Sequence, residues 1–394
     1  MPKILRIINR FNLGGPTYNV AYLSRYLPDK YQTLLVGGDK EEGEDSSTFI
    51  LENLGLKPII IPEIKREINW KNDRAAYLKI KAIIEEFKPD VVHTHASKAG
   101  AIGRLAASNC KVPVVVHTFH GHVFHSYFGK LKTSFYKNVE RYLAKKTHAI
   151  IAISEQQKYE LTHIHKIAPE HKIKIIPLGF DLNRFGENKD EKRIAFRTKY
   201  LLNEDEIAVV IVGRLAPVKN HSMFIECINA VFKKTNKKVR AFIVGDGEMR
   251  GAIEQQAREA NIQFTDFTIN PVAAPLTFTS WITDIDRVLA GSDIVCLTSF
   301  NEGTPVSLIE AQAACKPIVS TSVGGIKDIV NPESAFLTDV NDAQLFSQQL
   351  LHLVENKEIR MNMGQKGGEF VKHKFHYTRL VQDMDKLYSS LLGK

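Results

Sequence analysis

The chain has 394 residues, 44% of them apolar and 25% charged, which excludes a disordered or fibrous protein and fits two globular domains better than one. No apolar run approaches the ~18 residues of a membrane-spanning helix, and the amino terminus, MPKILRIINR, reads as a short strand and not a secretory leader. The formal net charge of +9 lies entirely in residues 1–185, with 28 Lys and Arg against 18 Asp and Glu, so that half is expected to face something anionic: nucleic acid, a membrane surface or a phosphorylated acceptor.

In chain order, hydrophobic periodicity predicts strands at 4–8, 33–36, 58–61, 91–94, 114–118, 149–153 and 174–176. Between them it predicts helices at 18–27, 74–87, 97–107 and 126–145. Several of these strands are continuous Val/Ile runs, the pattern of a parallel sheet covered on both faces. Residues 177–190, with Pro177, Gly179, Gly186 and Asn188, read as an interdomain connection. The pattern then restarts with a strand at 208–212, a helix at 221–233, a strand at 239–244 and a helix at 249–260. A strand at 294–298, a helix at 305–314, a strand at 317–320 and helices at 358–372 and 378–392 complete it. The predicted fold class is α/β, with two doubly wound Rossmann-like domains, 1–185 and 186–375, facing across a cleft. The last helix, within 376–394, is expected to cross back to the first domain. Cys110, Cys227, Cys296 and Cys315 form neither a metal-ligand spacing nor a disulfide framework, which fits a reducing, cytoplasmic setting.

In doubly wound sheets ligands bind beyond the carboxyl ends of the strands, so residues just after strands are the candidates. Gly14 and Gly15, after the first strand, would let backbone N–H groups approach an anion at a helix amino terminus, or simply make a tight turn. The G-x-G-x-x-G dinucleotide pattern is not met there. In VGRLAPVKN, Arg214 and Lys219 lie in the loop entering a helix; two such cations suit a diphosphate better than they suit plain solvent. Gly245 in VGDGE shapes either a nucleotide pocket or a turn. In NEGTPVSLIEA, Thr304 is expected as helix cap and Pro305 as first helical residue. Glu302 and Gly303 precede that helix, where a carboxylate among free N–H groups suits sugar hydroxyls. Glu310, within it, has apolar neighbours and so needs partners of its own, such as a ribose hydroxyl pair. SVGG, 322–325, reads as a further phosphate-facing turn. His117, His120 and His122 end a buried strand; His120 is the candidate to face a substrate, and His117, His93 and His95 read as packing residues. No carboxylate or cysteine completes a metal site with them.

The ordered set of motifs resembles family 4 of the retaining nucleotide-sugar glycosyltransferases, which have the two-domain GT-B fold. The resemblance rests on Glu302 and Glu310 in EGTPVSLIEA, on KPIVSTSVGG after it, on VGRLAPVKN and VGDGE before it, and on the GG loop and THAIIAISE (147–155) of the first half. It implies that Arg214 and Lys219 bind the donor diphosphate and stabilise it as it leaves. It implies that Glu302 binds the transferred sugar, Glu310 the ribose, Gly15 the phosphate through its backbone, and His120 the donor sugar near the reacting carbon. It further implies retention of configuration, a hexose or N-acetylhexosamine donor carrying UDP before GDP, and no metal or other cofactor. Where such enzymes often have Gly-Trp, this chain has Ser280-Trp281, preceded by an unusual run at 270–276.

The implied acceptor is a small-molecule or lipid-linked glycan of cell-surface polysaccharide synthesis. Phe128, Leu131, Phe135, Val139 and Tyr142 make one helical stripe amid Lys130, Lys132, Lys137, Arg141, Lys145 and Lys146, with Glu140 alone opposing. Two readings stay open for it: a helix covering its own sheet, or peripheral docking on an anionic bilayer at the inner face of the cell membrane. A GT-B epimerase is the alternative enzyme. A nucleic-acid-binding protein is disfavoured for want of a recognition motif, and a nicotinamide oxidoreductase for want of its glycine fingerprint.

Overall fold

The computed structural model describes residues 1–11, 15–39, 48–65, 67–120 and 130–393. They fall into two compact units, Met1–Phe180 with Phe375–Lys394, and Asp181–Lys374. The chain passes between units at 180/181, before the expected 185, and again at 374/375.

The first unit is a parallel sheet of β1 (Lys3–Arg10), β2 (Gln32–Gly38), β3 (Ile59–Ile60), β4 (Val91–His95), β5 (Val114–Phe119), β6 (Ala149–Ala152) and β7 (Ile173–Ile175). Its order is β3-β2-β1-β4-β5-β6-β7, so the winding reverses between β1 and β4. Ile4 pairs with Val91 on one side and with Thr33 on the other. The helix Tyr377–Leu391 buries Leu380, Val381, Met384 and Tyr388 against Ile4, Leu23, Val91 and Val114 of this unit. Tyr31 Oη donates to Asp385 at 2.7 Å, and Arg379 donates to the Pro177 and Leu178 carbonyls at 2.7 Å.

The second unit comprises β8 (Ile207–Val212), β9 (Val239–Val244), β10 (Phe264–Asp266), β11 (Leu276–Phe278), β12 (Ile294–Leu297), β13 (Ile318–Thr321) and β14 (Ala335–Thr338). They too are parallel, in the order β10-β11-β9-β8-β12-β13-β14, with the reversal between β8 and β12. Its core joins Val209, Ile211, Ala241, Ile243, Phe224, Ile228, Phe346 and Leu350.

Several elements differ from expectation for identifiable reasons. β10 and β11 are three residues each, too short to show a period. β11 opens at the end of the 270–276 run and inserts between β9 and β10. The expected connection at 177–190 ends inside the helix Lys189–Lys199, whose residues Phe196 and Arg197 are buried. The basic helix spans Lys130–Lys145; residues 126–129 lie outside those described.

Candidate functional site

The chemistry-bearing residues of the second unit gather where its sheet reverses, beyond the carboxyl ends of β8 and β12. After β8 the chain turns through Gly213, runs to the short 3-10 turn Pro217–Lys219, and enters the helix His221–Lys234 with Asn220 in the left-handed region. After β12, Thr298 Oγ1 donates to the carbonyls of Lys219 (3.1 Å) and Asn220 (2.9 Å), and Phe300 N–H donates to the Val218 carbonyl at 2.8 Å. These bonds hold the two loops side by side. Lys219 Nζ then donates to Glu302 Oε1 at 2.6 Å, and Ser299 Oγ donates to the same oxygen at 2.6 Å. The pair is only 23% and 10% exposed. Among the described residues nothing donates to Glu302 Oε2.

The Glu302 loop has a floor. Gly324 has φ +52, and a Cβ there would collide with the Glu302 carbonyl oxygen; a Cβ on Gly325 would collide with that of Gly303. Gly325 N–H donates to the Glu302 carbonyl at 3.2 Å, and Thr321 Oγ1 to the Ser299 carbonyl at 2.7 Å. The glycines of SVGG therefore carry the loop from behind.

Thr304 does not cap. The helix runs Val306–Ala313 with Pro305 as its N-cap at φ −67 and ψ 104, and no side chain caps it. The extended ψ of Pro305 delays the helix by one residue and leaves its first N–H groups uncapped by side chains. One turn on, Glu310 is 16% exposed and accepts a bond from Arg184 Nη2 at 3.1 Å. Burial raises its carboxyl to about 7, and the Arg184 charge offsets this only in part.

Arg214 is 65% exposed and pairs with Glu248, itself 51% exposed, at 3.1 Å. Gly245, at φ +137, lets β9's end approach β8's: its Cβ would collide with the Gly213 carbonyl. Its N–H donates to the Ser280 carbonyl at 3.0 Å. Ser280 itself has φ 57, a left-handed backbone that glycine adopts more readily than serine. Ser280 Oγ donates to Asp246 at 2.9 Å.

In the first unit Gly15 opens the helix Gly15–Tyr26 after β1, while Gly14 and His122 lie outside the described residues. His120 follows β5, with Nε2 2.9 Å from His95 Nδ1 and the two rings stacked. Burial lowers His120 to about 3 and holds His95 well below the usual imidazole range. His93 joins Tyr388 Oη (2.6 Å) to Thr118 Oγ1 (2.7 Å), and His117 Nδ1 lies 2.8 Å from Thr94 Oγ1. His93 is thus a core residue with both ring nitrogens paired, His117 is a buried one paired through Nδ1 alone, and His95 orients His120. Among the described residues no three His, Cys, Asp or Glu side chains converge as a metal cluster.

The basic helix turns Tyr136, Glu140, Leu143 and Ala144 inward. Glu140 is buried against Arg104 at 2.7 Å, and Phe135 and Tyr142 are exposed at 63% and 53%. Phe135 and Tyr142 of the apolar stripe are therefore not among the residues that cover the sheet. Phe128 and the side chains of Lys130, Leu131 and Lys132 lie outside the description. Among the described residues no helix is long and apolar enough to cross a membrane.

Reasoning from sequence did not find Ser299, Arg184, Glu248 or Asp246. Only Ser299, three residues before Glu302, carried a signal, since a buried carboxylate needs a donor nearby.

Residues 192–370 match the model for glycosyl transferases group 1, and residues 13–184 that for glycosyltransferase family 4. A curated relative from Escherichia coli, UDP-Gal:alpha-D-GlcNAc-diphosphoundecaprenol alpha-1,3-galactosyltransferase, is 30% identical over 86% of this chain and 84% of its own. The putative glycosyltransferase EpsD of Bacillus subtilis is 25% identical over 81% of both. Among solved structures, Anabaena Alr3699/HepE in complex with UDP superposes with a TM-score of 0.81 at 18% identity, covering 98% of this chain and 100% of its own. Sucrose-phosphate synthase from Thermosynechococcus elongatus does so at 0.78 and 19%, covering 100% of both chains.

Proposed function

The chain belongs to glycosyltransferase family 4, with the GT-B fold, and from that premise we propose that it moves a hexosyl or N-acetylhexosaminyl group from UDP to a lipid-linked glycan with retention of configuration and without a metal. The observation that carries this reading is the Lys219–Glu302 pair with Ser299, standing where β8 and β12 end side by side. It joins a cation suited to a diphosphate with a carboxylate whose Oε2 remains for sugar hydroxyls.

In the proposed reaction the bond from the anomeric carbon to the diphosphate oxygen breaks, and a bond to the acceptor oxygen forms on the same face. The acceptor's proton passes to the departing phosphate oxygen. Arg214 and Lys219 neutralise the charge that develops on the diphosphate, the part played elsewhere by a metal ion. Glu302 holds the sugar and Glu310 the ribose. His120, kept neutral by burial, can donate or accept one hydrogen bond near the reacting carbon without adding charge. GDP is the second choice of nucleotide.

Support for the acceptor class is the E. coli relative, named for a diphosphoundecaprenol-linked GlcNAc. Peripheral contact with an anionic bilayer follows from the exposed Phe135 and Tyr142 beside Lys137, Arg141, Lys145 and Lys146, each basic residue near such a surface adding ~1 kcal/mol. Sedimentation with anionic vesicles tests it, and absence of binding at moderate salt removes it. The principal test offers purified protein a panel of UDP- and GDP-hexoses and N-acetylhexosamines with GlcNAc-diphosphoundecaprenol, read by mass spectrometry and by the anomeric configuration of the product. Transfer from a UDP-sugar with the α-configuration kept is expected; acceptor-independent conversion of the nucleotide sugar would instead support an epimerase.

A further inference from the structure

Glu310 stands on a helix whose Leu308, Ile309, Ala311 and Gln312 are buried, so the charge on its carboxylate depends on the few groups that reach it. The helix Lys357–Lys374 meets this one through Gly364, Gly367 and Gly368, which approach Cys315 and Gln312 and bring no charge. β12 and β13 carry no ionisable residue other than Cys296. From the helix Ile285–Gly291, Asp286 acts to keep Glu310 protonated, but Asp286 is itself paired with Lys192 at 2.8 Å. Arg184 is the cation that acts on Glu310, at 3.1 Å from Oε1 and 126 residues away in sequence.

Arg184 is fastened. It lies in the 3-10 turn Asn183–Phe185, and its guanidinium sits over the Phe185 ring, 4.8 Å from the centroid. Lys192 Nζ donates to the Arg184 carbonyl at 2.5 Å while it pairs with Asp286. One lysine thus both pairs with the acidic neighbour of Glu310 and holds the backbone of its basic one. A cis-diol such as ribose donates two hydrogen bonds to a carboxylate, whereas a protonated carboxyl must give up one acceptor position to its own proton. Among the described residues nothing donates to Glu310 Oε2.

We infer that Arg184 is a positioning residue for the donor nucleotide: fixed by Lys192 and Asp286, it holds Glu310 as an oriented carboxylate able to accept both ribose hydroxyls. The inference rests on the ribose reading of Glu310. It explains how a carboxylate in apolar surroundings serves a polar ligand, since burial opposes the charge and Arg184 offsets part of that cost.

The first measurement needs no ligand. Glutamate labelled with 13C at the carboxyl carbon, with the Glu310 signal assigned by its loss in Glu310→Gln, is titrated in the wild type and in Arg184→Ala. The Glu310 midpoint should rise by about one pH unit in the variant, and Arg184→Lys should restore most of it. Calorimetry with UDP then reads the consequence. Arg184→Ala should weaken UDP about 10-fold at pH ~7, and the deficit should close to about 2-fold at pH ~9, where the carboxylate forms unaided. An unshifted Glu310 titration, or a UDP deficit of equal size at every pH, overturns the inference, because a merely structural arginine gives no pH-dependent rescue. 2′-Deoxy-UDP separates the two layers. Equal binding of UDP and 2′-deoxy-UDP by the wild type would refute the ribose reading itself, whatever the ligand-free titration shows for Arg184.

Discussion

Replacing Glu310 with glutamine should stabilise the second unit at alkaline pH. A carboxyl whose folded value is raised binds its proton more tightly folded than unfolded. Its favourable contribution to folding is therefore full below the ordinary 4.5 and is lost as pH rises through about 7. Between those values the native state holds a proton that the unfolded chain has released, so stability falls with pH. Each pH unit of difference is worth ~1.4 kcal/mol, so the charged carboxylate costs the fold ~3 kcal/mol by pH ~8 and under ~1 kcal/mol at pH ~5. Glutamine keeps the shape and an acceptor for Arg184 and does not titrate. The advantage of Glu310→Gln over the wild type should therefore grow by ~2.5 kcal/mol between pH ~5 and ~8, or ~5–10 °C in Tm for a unit of this size. Thermal unfolding of both proteins across that range provides the assay, and taking the difference cancels every other titrating group. A Tm difference independent of pH would refute the reasoning, since it would mean that Glu310 is already ionised at pH ~5.

Lys219→Ala and Glu302→Ala should each lower transfer ~10²–10³-fold with the fold intact, and Arg214→Ala likewise, as judged by kcat/KM beside circular dichroism. Near-normal turnover in Lys219→Ala would remove its role. Glu248→Ala, by contrast, should change stability by under ~1 kcal/mol in denaturant melts, because the Arg214–Glu248 pair is exposed. Gly324→Ala should destabilise the second unit by ~1–3 kcal/mol and depress activity together, since the left-handed φ of +52 and the Glu302 carbonyl both resist a Cβ; unchanged melting would show that the loop yields. The ring nitrogens of His95 and His120 should keep neutral-imidazole 15N shifts down to pH ~5, as their burial dictates, and titration near the ordinary ~6.5 would contradict it.

The alternation of apolar runs with amphipathic segments made both sheets legible, because a strand buried on two faces tends to be a near-continuous apolar run, as at 207–212 and in the Val114–Val116 start of 114–119. The same logic placed Lys219 and Glu302 after strands. Their meeting at 2.6 Å required that β12 pair with β8, and that pairing belongs to topology and not to periodicity. β10 and β11 were invisible because three residues show no period, and the Thr304 cap failed on one ψ angle at Pro305.

Local burial is written residue by residue, and so the sequence by itself determined which segments are strands, where loops follow them and which residue types stand in those loops. Only the tertiary structure decided the partners: Arg184 on Glu310, Ser299 on Glu302, His95 on His120, and the glycines of 324–325 beneath a carbonyl more than twenty residues earlier. A hydrogen bond depends on ångström distances between groups that chain closure brings together, and no period along the sequence encodes that distance.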